Sequence, residues 1–222
     1  HPLQTTGATS MKFLLVYGTT EGQTEKVATF VTDRLAQQGH ETQLANAIDP
    51  TATAIDLLGF DAVIIAASLH AGHYQSAVIH FVRTHLDGID ARPNAFLSVS
   101  LAAASGDGDD VHGLEQCIAA FTQQTGWTPR RVHHVAGAFR YASYDFLKRW
   151  AMKYIAYRKG GPLDTSRDHE LTDWVDLAQF VSSFLGDLES ARLPSITEES
   201  AAAARAMPAA AARGSDGSDR SR

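Results

Sequence analysis

Cysteine is nearly absent from this chain: Cys117 is the only one among 222 residues. A single thiol excludes an intramolecular disulfide and any multi-cysteine metal site. It falls in HGLEQCIAAF, where Leu114, Cys117, Ile118 and Phe121 share one helical face, the pattern of a buried core thiol rather than a reactive one. Long apolar runs are absent too. The longest strongly apolar stretch, AVIIAA at 62–67, is far short of the roughly 20 residues a helix needs to span a bilayer. No stretch pairs a basic start with an apolar centre as a secretory signal does. These absences lead to the expectation of a cytoplasmic protein. Charge of one sign is also scarce. Nineteen basic against 25 acidic side chains leave a formal charge of −6, which gives no reason to expect a nucleic-acid partner.

What is present suits a single domain with a proper core: 44% of the residues are hydrophobic and 20% charged. The ends read differently. Residues 1–10, HPLQTTGATS, carry no core pattern and are expected to be an N-terminal extension, with Met11 as the functional start. From 191 to 222 the chain turns Ala- and Ser-rich and loses its aromatics, so it cannot bury enough apolar surface to offset ordering. A disordered tail is expected there, leaving 11–190 as the domain.

Within the domain, strand-like and helix-like segments alternate. KFLLVYG reads as a short buried strand, followed by a helix over 23–38 with Val27, Phe30, Val31 and Leu35 on one face. HETQLANA is a weaker, half-exposed strand. FDAVIIAAS is a continuous apolar one, followed by a helix that turns Ala77, Val78, Phe81, Val82 and Leu86 inward. NAFLSVSL, a helix over 111–125, the strand RRVHHVAGAF and a last helix complete the pattern. In that last helix Thr172 is the expected cap, and Trp174, Leu177, Ala178, Val181, Phe184 and Leu188 form the buried face. Strands apolar on both faces, separated by amphipathic helices, imply a parallel sheet covered on both sides, a doubly wound α/β domain. Ligands of such folds sit beyond the carboxyl ends of the strands.

The loop after the first strand, YGTTEGQTEKVA (17–28), falls where that rule places a ligand. Glycines permit sharp turns and close approach, while hydroxyls and free N–H groups at a helix start favour anions. A Walker loop would need Gly-Lys-Ser/Thr, but Gln23 follows Gly22. A dinucleotide fingerprint would need a third glycine beside Gly18 and Gly22. A flavodoxin-like phosphate loop is left, with hydroxyls from Thr19, Thr20 and Thr24. The alternative is a capped turn with no ligand. Glu21 is expected to face solvent while the backbone does the binding. His70 and His73 have no nearby carboxylate or cysteine to complete a metal site, and His133 and His134, adjacent on a strand, point to opposite faces.

Further segments follow in order: ASLHAGHYQSAVIHFV, SVSLAAAS, AGAFRYASYDFLKRW and GGPLDTSRDHELTDW. Together with the first loop they resemble the flavodoxin-like, menaquinone-dependent protoporphyrinogen oxidase family, from Met11 to roughly Leu188. The resemblance implies a five-stranded parallel sheet of order 2-1-3-4-5 and bound FMN. The phosphate would be held by Thr19, Thr20, Glu21, Gly22, Gln23 and Thr24. The ring would lie between Ser68, Leu69, His70, Gly72, His73 and Tyr74 on one side and Ser100, Leu101 and Ala102 on the other. It implies oxidation of a porphyrinogen in two-electron steps, with a menaquinone-type quinone as acceptor. At His70 and Ala71 the family pattern carries Arg and Tyr instead. A flavodoxin-type electron carrier and an FMN-dependent quinone reductase with another donor are the competing readings.

An insertion over about 140–171 separates an enzyme from a carrier. Phe146, Leu147, Trp150, Ala151, Tyr154, Ile155 and Tyr157 occupy one half of a helical wheel, while Lys148, Arg149, Lys153 and Lys159 occupy the other. Such a helix either packs its apolar side on its own domain or contacts a quinone, a tetrapyrrole or, through 144–159, an anionic membrane surface on the cytoplasmic face of the cell membrane.

Overall fold

The computed structural model describes residues 10–104, 108–139 and 169–192. The chain divides into two compact units, His1–Phe184 and Leu185–Arg222. The sheet lies wholly in the first, and of the second only the end of the last helix is described.

The expected topology is the observed one. Strands β1 (Lys12–Gly18), β2 (Glu41–Asn46), β3 (Ala62–Ser68), β4 (Asn94–Ser100) and β5 (Val132–Ala136) form a parallel sheet of order 2-1-3-4-5. β1, β3 and β4 are buried over almost their whole length, because helices cover both faces. β2, at one sheet margin, is half exposed, as expected. The helices are α1 (Gln23–Gln37), α2 (Ser76–Thr84), α3 (Leu86–Asp90), α4 (Gly108–Thr125) and α5 (Trp174–Arg192).

On one face, Phe30 of α1 meets Trp174 of α5 with ring centroids 4.8 Å apart. On the other, Phe96 of β4 stacks on Phe121 of α4 at 4.8 Å and meets the edges of Tyr74 and Trp127. These rings centre the core cluster, which also takes Val78, Phe81 and Val82 from α2. Cys117 is half-buried at the margin of the same cluster rather than within it, and its partial burial pushes the thiol pKa up.

Several boundaries differ from expectation. The helix expected to carry Leu86 breaks at His85, whose φ of −113° and ψ of 19° leave the helical region, so Leu86 begins the separate short α3. α4 starts three residues before Val111, at Gly108. The single strand expected over 130–139 is interrupted at Gly137. There the N–H turns to Ser100 O at 2.9 Å, and Ala138–Phe139 (β6) pairs antiparallel with His169–Glu170 (β7) in a separate two-stranded sheet. Thr172 is not the cap of α5. Asp173 is, its Oδ1 accepting from Val175 N and Asp176 N at 3.0 Å each. Leu177, Val181 and Phe184 are buried as expected, and Phe180 joins them. α5 runs through Arg192, two residues into the expected tail. Residues 1–9, the insertion from Arg140 through 168 and the tail from 193 lie outside the described residues.

Candidate functional site

Parallel strands bring the loops after β1, β3 and β4 to one edge of the sheet. Because β2 and β3 flank β1 on opposite sides, the crevice between the loop after β1 (19–22) and the loop after β3 (69–75) is the topological switch point.

The first loop is built for close approach. Gly18 ends β1 against α2, and a Cβ there would stand 2.4 Å from Val78 Cγ2, so any other residue would force Val78 to shift. Gly22 takes φ 88°, a left-handed conformation that favours glycine, and starts α1 with no side-chain cap. Thr19 Oγ1 accepts from Gly22 N at 2.8 Å, which closes the turn. Thr24, in the first turn of α1, is fully buried, yet its Oγ1 has no hydrogen-bond partner among the described residues. A buried hydroxyl left unpaired is destabilising, so its presence beside an uncapped helix start is what a site for an oxygen-rich anion requires. The residues present thus fit a phosphate-bearing group. Gln23 is occupied otherwise: its Nε2 donates to Thr172 Oγ1 at 2.8 Å, and Thr172 Oγ1 donates to Ala136 O at 2.7 Å. This chain ties the start of α1 to the end of β5, and its middle member is the residue expected to cap α5. Glu21 is exposed.

After β3 the chain makes a two-residue hairpin. His70 N donates to His73 O at 2.9 Å and His73 N to His70 O at 3.0 Å, with Ala71 at φ 48° and Gly72 at φ 82°. Positive φ at both central positions is the geometry of a type I′ turn. His70, Gly72 and His73 are exposed at its tip, while Ser68 and Leu69 are half-buried at its base. Tyr74 turns the other way. Its ring lies between Phe96 and Phe121, its hydroxyl bonds Ser98 Oγ at 2.8 Å, and burial pushes its pKa well up. Its side chain belongs to the core, so only its backbone is available to the loop. Beyond β4, Ser100 Oγ accepts from Ala103 N at 3.2 Å and folds 101–104 into a tight turn, leaving Leu101 and Ala102 half-buried.

Sequence reasoning missed Gln75. Its Nε2 donates to Thr20 Oγ1 at 3.2 Å and to Ser68 Oγ, joining the two loops across the switch point. Nothing in the residue pattern marks it, since Thr20 is 55 positions away.

On β5 the two histidines diverge as expected. His133 stacks on Phe180 at 4.5 Å and its Nε2 stands 3.2 Å from Asp176 Oδ2, whereas His134 lies towards Glu115 of α4. Burial lowers both pKa values, with Asp176 partly offsetting this for His133. A hollow of about 210 Å³ opens here between the 102–104 turn and the start of α5. A larger one, about 420 Å³, lies between Leu57 and Arg92 at the opposite edge of the sheet, so volume alone does not locate the site.

The chain matches the Flavodoxin domain family over residues 14–166. It is 32% identical over 170 residues to the Escherichia coli protein named protoporphyrinogen IX dehydrogenase (quinone), covering 77% of this chain and 92% of that one. The Leishmania major protein of the same name is 30% identical over 177 residues, covering 79% of this chain and 75% of that one. Among solved structures, a variant of the flavo di-iron protein from Thermotoga maritima superposes with a TM-score of 0.50 at 11% identity. It covers 81% of this chain and 36% of that one, a likeness of fold alone.

Proposed function

Since the chain belongs to the flavodoxin-like family of protoporphyrinogen IX dehydrogenases (quinone), which are oxidoreductases, we propose that it binds FMN and oxidises protoporphyrinogen IX at the expense of a menaquinone-type quinone. Each step withdraws two electrons and two protons from the porphyrinogen and converts one quinone to quinol. Bound FMN would supply the two-electron redox centre. The observation that carries this reading is the buried, unpartnered Thr24 Oγ1 beside the uncapped start of α1.

The chain's own part is binding and positioning. Thr19, Thr20, Thr24 and the first N–H groups of α1 would hold the phosphate, and Gly22 would let the backbone approach it. The hairpin Ser68–Tyr74 and the turn Ser100–Ala102 would flank the ring and exclude water. Tyr74, locked between Phe96 and Phe121, would fix the base of that hairpin. Among the described residues no helix is long and apolar enough to cross a membrane. A lipid-soluble quinone would therefore be met at the bilayer surface. The basic amphipathic stretch 144–159, outside the described residues, would provide that contact, with each Lys or Arg contributing on the order of 1 kcal/mol near an anionic leaflet.

The deciding experiment is an anaerobic assay of the FMN-loaded protein with protoporphyrinogen IX and a menaquinone analogue. Porphyrin fluorescence should rise with quinol formation, and no fluorescence with either acceptor or donor omitted. Quinone reduction by another donor alone, with porphyrinogen untouched, would replace the substrate. Replacing Lys148, Arg149 and Lys153 by Glu should reduce sedimentation with anionic liposomes; unchanged sedimentation would refute the docking.

A further inference from the structure

Gln75 stands where the two loops of the switch point meet, with its amide nitrogen facing both of them. Nε2 reaches Thr20 Oγ1 at 3.2 Å and also Ser68 Oγ, while Oε1 is buried without a partner.

That orientation determines what the hydroxyls can do. A hydroxyl has one proton and two lone pairs. In accepting from Gln75, Thr20 and Ser68 each use a lone pair and keep the proton to donate. Thr20 is exposed and Ser68 half-buried, so these protons can reach a ligand in the crevice. A glutamate at the same position would do the reverse, drawing both protons onto its carboxylate.

Building on the FMN reading, we propose that Gln75 is a positioning residue. By donating to Thr20 and Ser68, it turns both hydroxyls into donors, Thr20 towards the phosphate and Ser68 towards the ring side of the crevice, and through Thr20 it favours FMN over riboflavin. Its effect passes through the two hydroxyls, which distinguishes it from a residue that merely holds the loops together.

The test is a double-mutant cycle on the full-length, flavin-stripped protein, read as affinity by quenching of flavin fluorescence. Gln75→Leu should weaken FMN binding about tenfold, the worth of one good hydrogen bond, and riboflavin binding by a smaller factor. Introduced into a Thr20→Val, Ser68→Ala background, the same change should have almost no further effect. An equal loss in both backgrounds, or none in the wild type, overturns the proposal. Should Gln75→Leu not fold, the near-isosteric Gln75→Glu gives the same decision: its FMN affinity at neutral pH should fall below that of wild type, and unchanged affinity overturns the proposal. Inorganic phosphate separates the two readings. If wild type binds phosphate in a Gln75-dependent way but not FMN, the flavin reading fails and the positioning role stands; if it binds neither, both fail.

Discussion

At the amino edge of the sheet, Asn94 is 1% exposed and fully engaged. Its Nδ2 donates to Ile89 O and Arg92 O, and its Oδ1 accepts from Arg130 N, all at 3.0 Å. Nearby, Asp61 Oδ2 accepts from Lys12 N at 2.7 Å, and Arg92 donates to Phe60 O and Gly88 O. At the carboxyl edge, Thr24 is equally buried, yet its Oγ1 has no partner, and Gln75 Oε1 shares that condition. The contrast is not absolute, because Trp127 Nε1 in the aromatic core is also unpartnered. Its meaning is nonetheless clear. Polar groups that fasten strand ends are satisfied from within the chain, whereas the Thr24 hydroxyl at the proposed phosphate site is left unpaired. One edge is closed by its own hydrogen bonds, and the other carries the proposed binding loops.

The sharpest way to break this comparison is at Asn94. Asn94→Leu strips partners from one buried and two part-buried backbone groups, and at about 1–3 kcal/mol for a buried group left unpaired, it should lower unfolding free energy by at least that much. FMN affinity of whatever remains folded should be unchanged. Denaturant melts and flavin titration measure the two arms; a loss of affinity without a loss of stability would collapse the distinction.

Thr24→Val should do the opposite. Losing a charge-assisted bond worth roughly 1.5–3 kcal/mol should weaken FMN binding about ten- to hundredfold. The flavin-free protein should become slightly more stable, since an isosteric methyl replaces an unpaired buried hydroxyl. Lower stability without flavin would mean that Thr24 has a structural partner after all.

A third test uses His133 and His134, which lie mid-strand between the two edges. Burial lowers both pKa values below the usual 6.5, so the folded state holds these protons less tightly than the unfolded chain. Their stabilising contribution is complete above pH 6.5 and is lost as the pH falls through that value towards the folded pKa values. Melting temperature should therefore drop on acidification below neutrality, and His133→Phe with His134→Leu should flatten that slope. An unchanged slope would assign the acid sensitivity elsewhere.

The smallest effect is expected at the hairpin tip. Ala71 has φ 48°, a region that costs an ordinary L-residue about 1–2 kcal/mol, and Asn is well tolerated at this position of a type I′ turn. Ala71→Asn should raise stability by about 0.5–1 kcal/mol, visible as a small rise in denaturation midpoint. No change would show that the turn is held by its surroundings.

By itself the sequence pattern determined a parallel sheet between helices, while the strand order came from the family resemblance. Unbroken apolar runs such as AVIIAA cannot face water on either side, so a parallel sheet between helices was required, and its carboxyl edge had to receive the Gly- and Thr-rich loop. Hydrophobic period and turn chemistry are local properties, readable without coordinates. Tertiary structure alone decided how side chains divide their partners. Tyr74 sits in a loop by sequence but turns into the core because Phe96 and Phe121 leave an aromatic slot there. Thr172, a plausible cap, instead bridges Gln23 and Ala136, and Asp173 takes the capping role. Gln75 gained its importance from Thr20, brought next to it by the pairing of β1 with β3. Hydrogen bonds between residues far apart in sequence depend on angles and distances that only packing sets, and so they leave no periodic trace.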